Sequence, residues 1–318
     1  MRLIRGLYSC PIELFKKGCV ATIGNFDGVH LGHQAIIKRL TDKATELQLP
    51  SVVVLFEPHA QEFFRPDHAP ERLFKLTDKV KALEALGVDY VLCLRFNREL
   101  AQLSAQDFVR RVLLEHLRVK HLFIGDDFRF GHQRTGDFEL LKSYDFSVEA
   151  NHSITHTIDS KSIRISSSQV RQTIRNNDFE LAKLLLGKSY LVCGKVAHGD
   201  KQGRQIGVPT ANIALKRRKS PLQGVYAVKV FGLSSQSSPQ PIYGVANVGV
   251  KPTLNVRAER LEVHLFDFDG DIYGQRICVE PVAKIREEKK FASIDELKLQ
   301  IAQDIAQTKE FFRQQNIQ

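Results

Sequence analysis

The chain has 318 residues, of which 43% are hydrophobic, and a formal net charge of +10 at pH 7. This length is typical of two domains with ordinary cores, and no apolar run is long enough to span a bilayer. The charge leaves two classes open, a nucleic-acid binder or an enzyme that acts on polyanions. Neither zinc-finger spacing nor an aromatic ribonucleoprotein motif is present, and the densest basic run, Lys216–Lys219, reads as a solvated loop.

The N-terminal residues and the cysteines indicate the compartment. The first residues lack the apolar core of a signal peptide, so we expect a cytoplasmic protein. The five cysteines are scattered and contain no CxxC pair, and we expect them to be reduced and mostly buried.

Strands and helices alternate from residue 19 to about residue 150. Apolar patterns predict strands at 19–23, 51–56, 90–95 and 120–124, and helices at about 32–48, at 77–86 with Thr77 and Asp78 as caps, and from Ser104 to His116. Repeated βα units of this length predict a parallel, doubly wound sheet. Ligands bind such sheets at the carboxyl ends of the strands.

The stretch Gly24–His33 joins the first predicted strand to the first helix. Its glycines at 24, 28 and 32 let backbone N–H groups approach a ligand, and the helix start adds the positive end of its dipole, which suits a phosphate. His30 and His33 share one helix face and could stabilise charge on a phosphoryl group. A zinc pair or two structural histidines are the alternatives that this spacing leaves open.

Polar and aromatic residues also follow the second and fourth predicted strands. Pro58 and His59 follow the second strand, where His59 could equally be a loop histidine without a ligand. After the fourth strand, two glycines bracket Asp127, Phe128 and Phe130, which offer a carboxylate and aromatic walls suited to a flat ring. A further segment, Arg164–Arg171, opens a helix whose serines are either anion-binding groups or an ordinary N-cap.

These motifs resemble those of the HxGH nucleotidylyltransferases, in the form found in bacterial bifunctional riboflavin kinase/FMN adenylyltransferase, also called FAD synthetase. The serine segment resembles the family's second signature, which holds the ATP phosphates. The resemblance implies catalytic roles for His30, His33 and Arg171. It implies nucleotide or flavin binding by Gly24, Phe26, Asp27, Gly28, Gly32, Pro58, His59, Asp127, Phe128, Arg164, Ser167 and Ser168.

The pattern of predicted elements changes from alternating strands and helices to short strands after a short helix that follows Asp178 and ends at Gly187. We place the domain boundary there, between residues 1–187 and 188–318. Strands predicted at 190–197, 225–232, 242–248, 261–267 and 276–284 indicate a small antiparallel barrel, and Ser293 with Glu296 predicts a terminal helix at about 294–314.

Two segments of this second half could bind a nucleotide. Glycines at 199, 203 and 207 precede Thr210 and Asn212, whose oxygens suit Mg²⁺, although a plain turn cluster is an equal alternative. Glu262 shares a strand face with His264 and could accept a proton from a substrate hydroxyl, although a lone glutamate is more often a surface residue.

These segments resemble the riboflavin kinase signature in order and spacing. The resemblance implies that Glu262 is a general base, that Thr210 and Asn212 help hold Mg²⁺, and that the ATP or flavin is bound by Gly199, Gly203, Arg204, Gly207 and Asn247. It implies an α/β, Rossmann-like nucleotidylyltransferase domain followed by an antiparallel riboflavin-kinase β-barrel and a terminal helix.

The implied activity is phosphorylation of riboflavin to FMN and adenylylation of FMN to FAD with release of pyrophosphate. The resemblance implies that ATP is the co-substrate and Mg²⁺ the cofactor. The expected partners are riboflavin, FMN and ATP, with no nucleic acid or membrane. The sequence predicts no oligomeric state. Two alternatives are another HxGH adenylyltransferase with a non-catalytic C-terminal module, and a basic RNA-binding protein, for which binding would be sensitive to salt.

Overall fold

The computed structural model describes residues 1–151, 154–158, 161–198, 207–215, 219–233, 240–253 and 256–315. The chain divides into two compact units: residues 1–70 with 74–169, and residues 71–73 with 170–318. The boundary near residue 187 stays a prediction. Gly199, Gly203, Arg204 and residues 216–218 of the basic run lie outside the described residues. No helix in the described part of the chain is both long and apolar enough to cross a membrane.

Among its described residues, the first unit forms a six-stranded parallel sheet in the order β1-β4-β3-β2-β5-β6. The strands are β1 (Arg2–Arg5), β2 (Cys19–Ile23), β3 (Ser51–Glu57), β4 (Tyr90–Arg95), β5 (Val119–Gly125) and β6 (Ser147–Asn151). The predicted doubly wound sheet is confirmed. Because the strand order reverses between β2 and β5, their carboxyl ends flank the crevice where such sheets bind ligands.

Helices cover both faces of this sheet. They are α1 (Leu31–Leu47), α2 (Ala60–Phe64), α3 (Leu76–Ala85), α4 (Arg98–Gln102), α5 (Ala105–Phe108), which continues as a π-helix over Val109–His116, and α6 (Phe138–Lys142). The predicted Ser104 cap is confirmed, since its Oγ accepts a hydrogen bond from Asp107 N at 3.0 Å. The predicted caps of α3 are wrong: Thr77 and Asp78 lie in its first turn, and the N-cap is Lys75, whose side chain makes no capping hydrogen bond.

The core of the first unit lies on both faces of the sheet because successive strand residues point to opposite sides. Ala21 and Ile23 pack with the helical segment at 105–117, whereas Val20 packs with Ile37 and Leu40 of α1. This packing fixes α1, and therefore its N-terminus, above the carboxyl end of β2. A hairpin of β7 (Thr155–Ile158) and β8 (Lys161–Arg164) then leads to α7 (Ser167–Arg175).

The second unit is a closed antiparallel barrel with strand order β10-β13-β12-β11-β14-β9, as predicted. The elements are α8 (Phe179–Leu186), β9 (Val192–Ala197), β10 (Ala211–Ala214), β11 (Gly224–Phe231), β12 (Ile242–Thr253), β13 (Val256–Leu265), β14 (Arg276–Arg286) and α9 (Ile294–Gln314). Strand β10 was not expected, because its first two residues belong to the segment interpreted as a ligand loop. Ser293 caps α9 as predicted.

The terminal helix packs on the outside of the barrel through Phe312, which joins Val245 and Phe266 in one buried cluster. A partly buried ion pair supports this contact: Arg286 Nε and Nη2 each donate to a carboxylate oxygen of Asp304 at 2.8 Å.

The expected state of the cysteines is partly wrong. Cys193 and Cys278 are directly opposite each other on β9 and β14 and form a disulfide. They are 85 residues apart in the chain, so spacing along the sequence gave no sign that two strands bring them together. Cys10, Cys19 and Cys93 are buried and are not part of a disulfide, as expected.

Candidate active sites

The turn between β2 and α1 has an unusual backbone. Phe26, Gly28 and Val29 have φ values of 47°, 82° and 45°, a left-handed region that a β-branched residue rarely adopts. Asp27 holds this turn in place: its carboxylate accepts a hydrogen bond from Phe74 N, and its carbonyl accepts one from Ser167 Oγ, both at 2.9 Å. The backbone of the turn is therefore fixed before any ligand binds.

The two histidines lie together at the start of α1. His30 is the N-cap, and its Nδ1 accepts a hydrogen bond from His33 N at 3.3 Å. The rings stack with centroids 3.6 Å apart and planes 18° from parallel. Since Nδ1 of His30 is an acceptor, a neutral His30 carries its proton on Nε2, which makes Nε2 a donor. The pair thus presents N–H groups beside a helix N-terminus, an arrangement suited to phosphoryl oxygens.

Gly32 is required by close contact. A Cβ at this position would lie 3.1 Å from both Cε1 and Nδ1 of His30 and 3.5 Å from the Ile165 carbonyl oxygen. A larger residue would therefore push against the His30 ring.

A cavity of about 270 Å³ opens at the carboxyl edge of the sheet beside these groups. It brings together nine of the predicted residues, namely Gly24, Phe26, His30, Gly32, His33, Asp127, Phe128, Arg164 and Ser167. The sequence interpretation missed other members of the lining, including Thr22, Asp126, Asn151, Ile154 and Ile165. Thr22, Asn151 and Ile154 reach the site through the fold and lie in no local motif, whereas Asp126 and Ile165 adjoin predicted site residues.

Other predicted residues of the first unit lie outside this lining. Asp27 and Gly28 form the buried turn behind it, and Ser168 is exposed in the first turn of α7. Pro58 and His59 follow β3 at the same edge of the sheet, where His59 caps α2: its Nδ1 accepts from Gln61 N and its own N–H donates to Glu62 Oε2, both at 3.1 Å.

Arg171 belongs to the second unit and is 8% exposed. Its Nε donates to the Glu71 carbonyl oxygen at 2.5 Å. The Glu71 carboxylate pairs with Arg175 Nη2 at 2.8 Å. Burial acts to raise the pKa of Glu71, but the hydrogen bond from Arg175 and the charges of both arginines outweigh it, so this pKa lies below its usual value.

An aromatic cluster lies near the cavity at the sheet edge. Phe128, which lines the cavity, stacks on Phe130 with centroids 5.5 Å apart, and Phe130 lies 5.6 Å from Phe108. Phe56 at the end of β3 lies 6.3 Å from Phe108. The carboxyl edge of the sheet therefore offers flat apolar surfaces next to a polar cradle.

In the second unit, Glu262 lies between two predicted ligand residues. It is directly opposite Asn212 on β10 and directly opposite Asn247 on β12. Directly opposite residues point to the same face of a sheet, so the three side chains form a row on one face. The alternate residues Leu261 and Val263 are buried on the other face.

A cavity of about 580 Å³ lies beside strands β10 and β13, and Val263 and Leu265, which alternate with Glu262 along β13, line it. Thr210 and Asn212 line it together with a loop that the sequence interpretation did not assign, in particular Phe268, Asp269, Asp271 and Tyr273. Glu262 and Asn247 lie outside the lining, next to Asn212 in the row. Gly207 has φ 82°, which explains a glycine at that position of the entering turn.

Asn212 has an unsatisfied acceptor. Its Oδ1 is buried and has no hydrogen-bond partner among the described residues, while its Nδ2 donates weakly to the Thr210 carbonyl oxygen at 3.4 Å. A buried amide oxygen without a donor is costly unless a ligand meets it. Amide and hydroxyl oxygens are ligands for hard cations, so Asn212 and Thr210 fit a divalent cation at this position.

Comparisons with known proteins match both units. Residues 12–169 match the family model described as FAD synthetase, and residues 186–312 match the one described as riboflavin kinase. Proteins named bifunctional riboflavin kinase/FMN adenylyltransferase are similar along the whole chain. The protein from Escherichia coli (strain K12) is 48% identical, with 98% of each chain covered. The protein from Pseudomonas fluorescens is 49% identical, with 96% of each chain covered.

A solved structure has the same overall fold. It is titled as a macrolide-efflux protein from Streptococcus pneumoniae and aligns with a TM-score of 0.73 at 30% identity, over 96% of this chain and 97% of that one. The sheet with its histidine cradle, the barrel with its Asn–Glu–Asn row and the full-length similarity agree, and the chain belongs to the bifunctional riboflavin kinase/FMN adenylyltransferase family.

Proposed function

We propose that the two cavities are the two active sites of one enzyme of flavin cofactor synthesis. The enzyme phosphorylates riboflavin to FMN in the barrel and adenylylates FMN to FAD at the edge of the sheet. The observation that carries this proposal is that each family match covers one cavity with its own set of polar groups.

In the adenylyl transfer, a phosphate oxygen of FMN attacks the α-phosphorus of ATP. The new P–O bond forms as the bond to the β-phosphate oxygen breaks, and pyrophosphate leaves with the electron pair. His30 and His33 donate N–H bonds to the phosphoryl oxygens as negative charge grows, beside the positive end of α1. Each such preorganised donor is worth about 3 kcal/mol of barrier, and no protein nucleophile is needed.

The other residues of this site hold the substrates. Arg164 and Ser167 border the phosphate end of the cavity and suit the ATP phosphates. The flavin ring stacks on Phe128, which the buried Phe130 supports from behind, because flat aromatic rings gain from offset stacking. The family resemblance implies a catalytic role for Arg171 and ligand roles for Pro58, His59 and Ser168, and we keep these roles as part of this proposal.

In the kinase reaction, the riboflavin 5′-hydroxyl attacks the γ-phosphorus of ATP and ADP leaves. Glu262 accepts the hydroxyl proton, and its neighbours Asn212 and Asn247 keep the carboxylate in a polar row. Thr210 and Asn212 would hold Mg²⁺, which supplies positive charge to the ATP phosphates. The orphaned Asn212 Oδ1 supports this choice of residues. Gly199, Gly203, Arg204 and Gly207 keep the nucleotide-binding role that the family resemblance implies, as part of this proposal.

The experiment incubates the purified chain with riboflavin, ATP and Mg²⁺ and follows riboflavin, FMN and FAD by chromatography. We expect FMN to appear first and FAD to follow. Formation of FMN without FAD would contradict the proposed site at the sheet, and failure to phosphorylate riboflavin would contradict the proposed barrel site. We place the reaction in the cytoplasm, where ATP is abundant, with no nucleic-acid or membrane partner; cell fractionation and oligonucleotide titration test these points.

A further inference from the structure

Asn151 is a buried amide in the wall of the sheet cavity that the proposed mechanism does not use. It ends β6 and is 6% exposed. Strand β6 lies two strands away from β2, a separation of about 10 Å. Since the helix N-terminus and histidines beside β2 suit phosphates, Asn151 lies at the opposite end of the cavity.

Arg39 on α1 fixes the orientation of this amide. One guanidinium nitrogen of Arg39 donates to Asn151 Oδ1 at 2.5 Å, and the other pairs with Glu149 on the same strand. The ring of Phe123 lies 5.0 Å from the guanidinium carbon, and His121 Nε2 lies 2.9 Å from the other Glu149 oxygen. Because a guanidinium has donors only, the amide oxygen must face Arg39 and the amide nitrogen must face away from it.

The amide nitrogen keeps a free donor. A primary amide has two N–H groups, and Nδ2 of Asn151 donates one of them to the Ile124 carbonyl oxygen at 3.3 Å. The second N–H meets no acceptor in the described part of the chain. Since Asn151 lines the cavity, it offers the ligand a hydrogen-bond donor but no acceptor.

We propose that Asn151 determines base specificity in the adenylyl transfer by donating this N–H to an unprotonated ring nitrogen of the adenine of ATP. The inference rests on the proposed function of the sheet cavity. Ile154 lines the same cavity and gives a purine ring apolar surface. Arg39 is a positioning residue that acts through the amide, without contact to the nucleotide.

The test measures kcat/KM for FAD formation from FMN with ATP and with its 1-deaza, 3-deaza and 7-deaza analogues, each lacking one ring acceptor. We expect one analogue to lower kcat/KM about tenfold in the wild type, mainly through KM, as for the loss of one buried hydrogen bond. In Asn151→Ala, kcat/KM with ATP should fall about tenfold, and replacing ATP by that analogue should cause no further fall. Asn151→Asp keeps an acceptor for Arg39 but has no donor, so its analogue profile should match that of Asn151→Ala.

Two further variants separate orientation from general structure. Arg39→Met leaves the amide free to turn and should weaken the discrimination between ATP and that analogue. Lys38→Met, at an exposed position of the same helix, should leave it unchanged. Riboflavin phosphorylation by the same preparations, and their thermal unfolding, report whether each variant is folded.

The inference would be overturned if the wild type used all three analogues equally well. It would also be overturned if an active Asn151→Ala showed the same fall in kcat/KM from ATP to the analogue as the wild type. Asn151→Ala could weaken inhibition by pyrophosphate by the same factor as it lowers kcat/KM with ATP. The N–H group would then bind a phosphate, and the purine assignment would be wrong. Absence of FAD formation in every preparation, the wild type included, would contradict the proposed function and the inference with it.

Discussion

The close packing of Gly32 against His30 allows the role of the histidine stack to be tested without removing either ring. In Gly32→Ala, the new methyl carbon would lie 3.1 Å from two atoms of the His30 imidazole. His30 is buried and stacked on His33 at 3.6 Å, so its ring cannot retreat without disturbing the pair. Gly32 has helical backbone angles in α1, and alanine is favoured over glycine there by up to about 1 kcal/mol.

Stability and activity should therefore change in different ways. We expect the unfolding free energy of Gly32→Ala to stay within about 1 kcal/mol of the wild type, because steric strain and helix propensity oppose each other. The kcat for FAD formation should fall roughly 10- to 100-fold, since displacements below 1 Å in a reacting site have effects of this size.

The assay is chromatographic measurement of FAD formed from FMN and ATP, beside urea unfolding. Riboflavin phosphorylation by the same chain is the internal control, and Lys38→Ala, exposed on α1, is the matched helix variant. A stable Gly32→Ala enzyme that makes FAD within twofold of the wild-type rate would refute the claim that the His30 ring position matters for catalysis.

Three more predictions concern the second unit. Asn212→Ala should lower the rate of riboflavin phosphorylation about 10- to 100-fold and raise the Mg²⁺ concentration needed for half-maximal rate, as expected for loss of a metal ligand. FAD formation from supplied FMN is the control. An unchanged Mg²⁺ titration would count against the ligand role. Asp304→Ala should lower the unfolding free energy of this unit by roughly 3 kcal/mol in urea denaturation, because it leaves Arg286 without its buried partner. A decrease in unfolding free energy below about 1 kcal/mol would show that the ion pair is dispensable. Burial raises the pKa of Tyr226 to about 12. The neutral Tyr226 side chain therefore makes its full contribution to the unfolding free energy below the pKa of an unfolded tyrosine, near 10. This contribution falls by at most about 2 to 3 kcal/mol as the pH rises from 10 toward 12. The stability difference between wild type and Tyr226→Phe should therefore shrink over pH 10–12, and a constant difference would contradict the raised pKa.

The sequence predicted what is encoded locally. The apolar strand Cys19–Ile23, the glycine turn after it and the periodic helix from Leu31 are adjacent in the chain, so their pattern indicated both the sheet and the histidine cradle. The short strand β10 and the polar edge strand β1 have too few residues for a pattern to stand out, and pairing with longer neighbours stabilises them.

Contacts between residues distant in the chain could not be predicted in the same way. Arg39 and Asn151 are 112 positions apart and meet because β6 joins the edge of the sheet beside α1. Cys193 and Cys278 likewise meet through barrel closure. The row of Asn212, Glu262 and Asn247 was predicted residue by residue, but their shared face follows from strand register alone.

The division of labour between the two units is the central claim, and one measurement tests it most directly. Wild type, His33→Ala and Glu262→Ala are each supplied with riboflavin or with FMN, together with ATP and Mg²⁺, and the flavins are separated by chromatography. We predict that His33→Ala forms FMN from riboflavin but no FAD, and that Glu262→Ala forms no FMN yet converts supplied FMN to FAD. Loss of both reactions in either folded variant would contradict the assignment of one reaction to each unit.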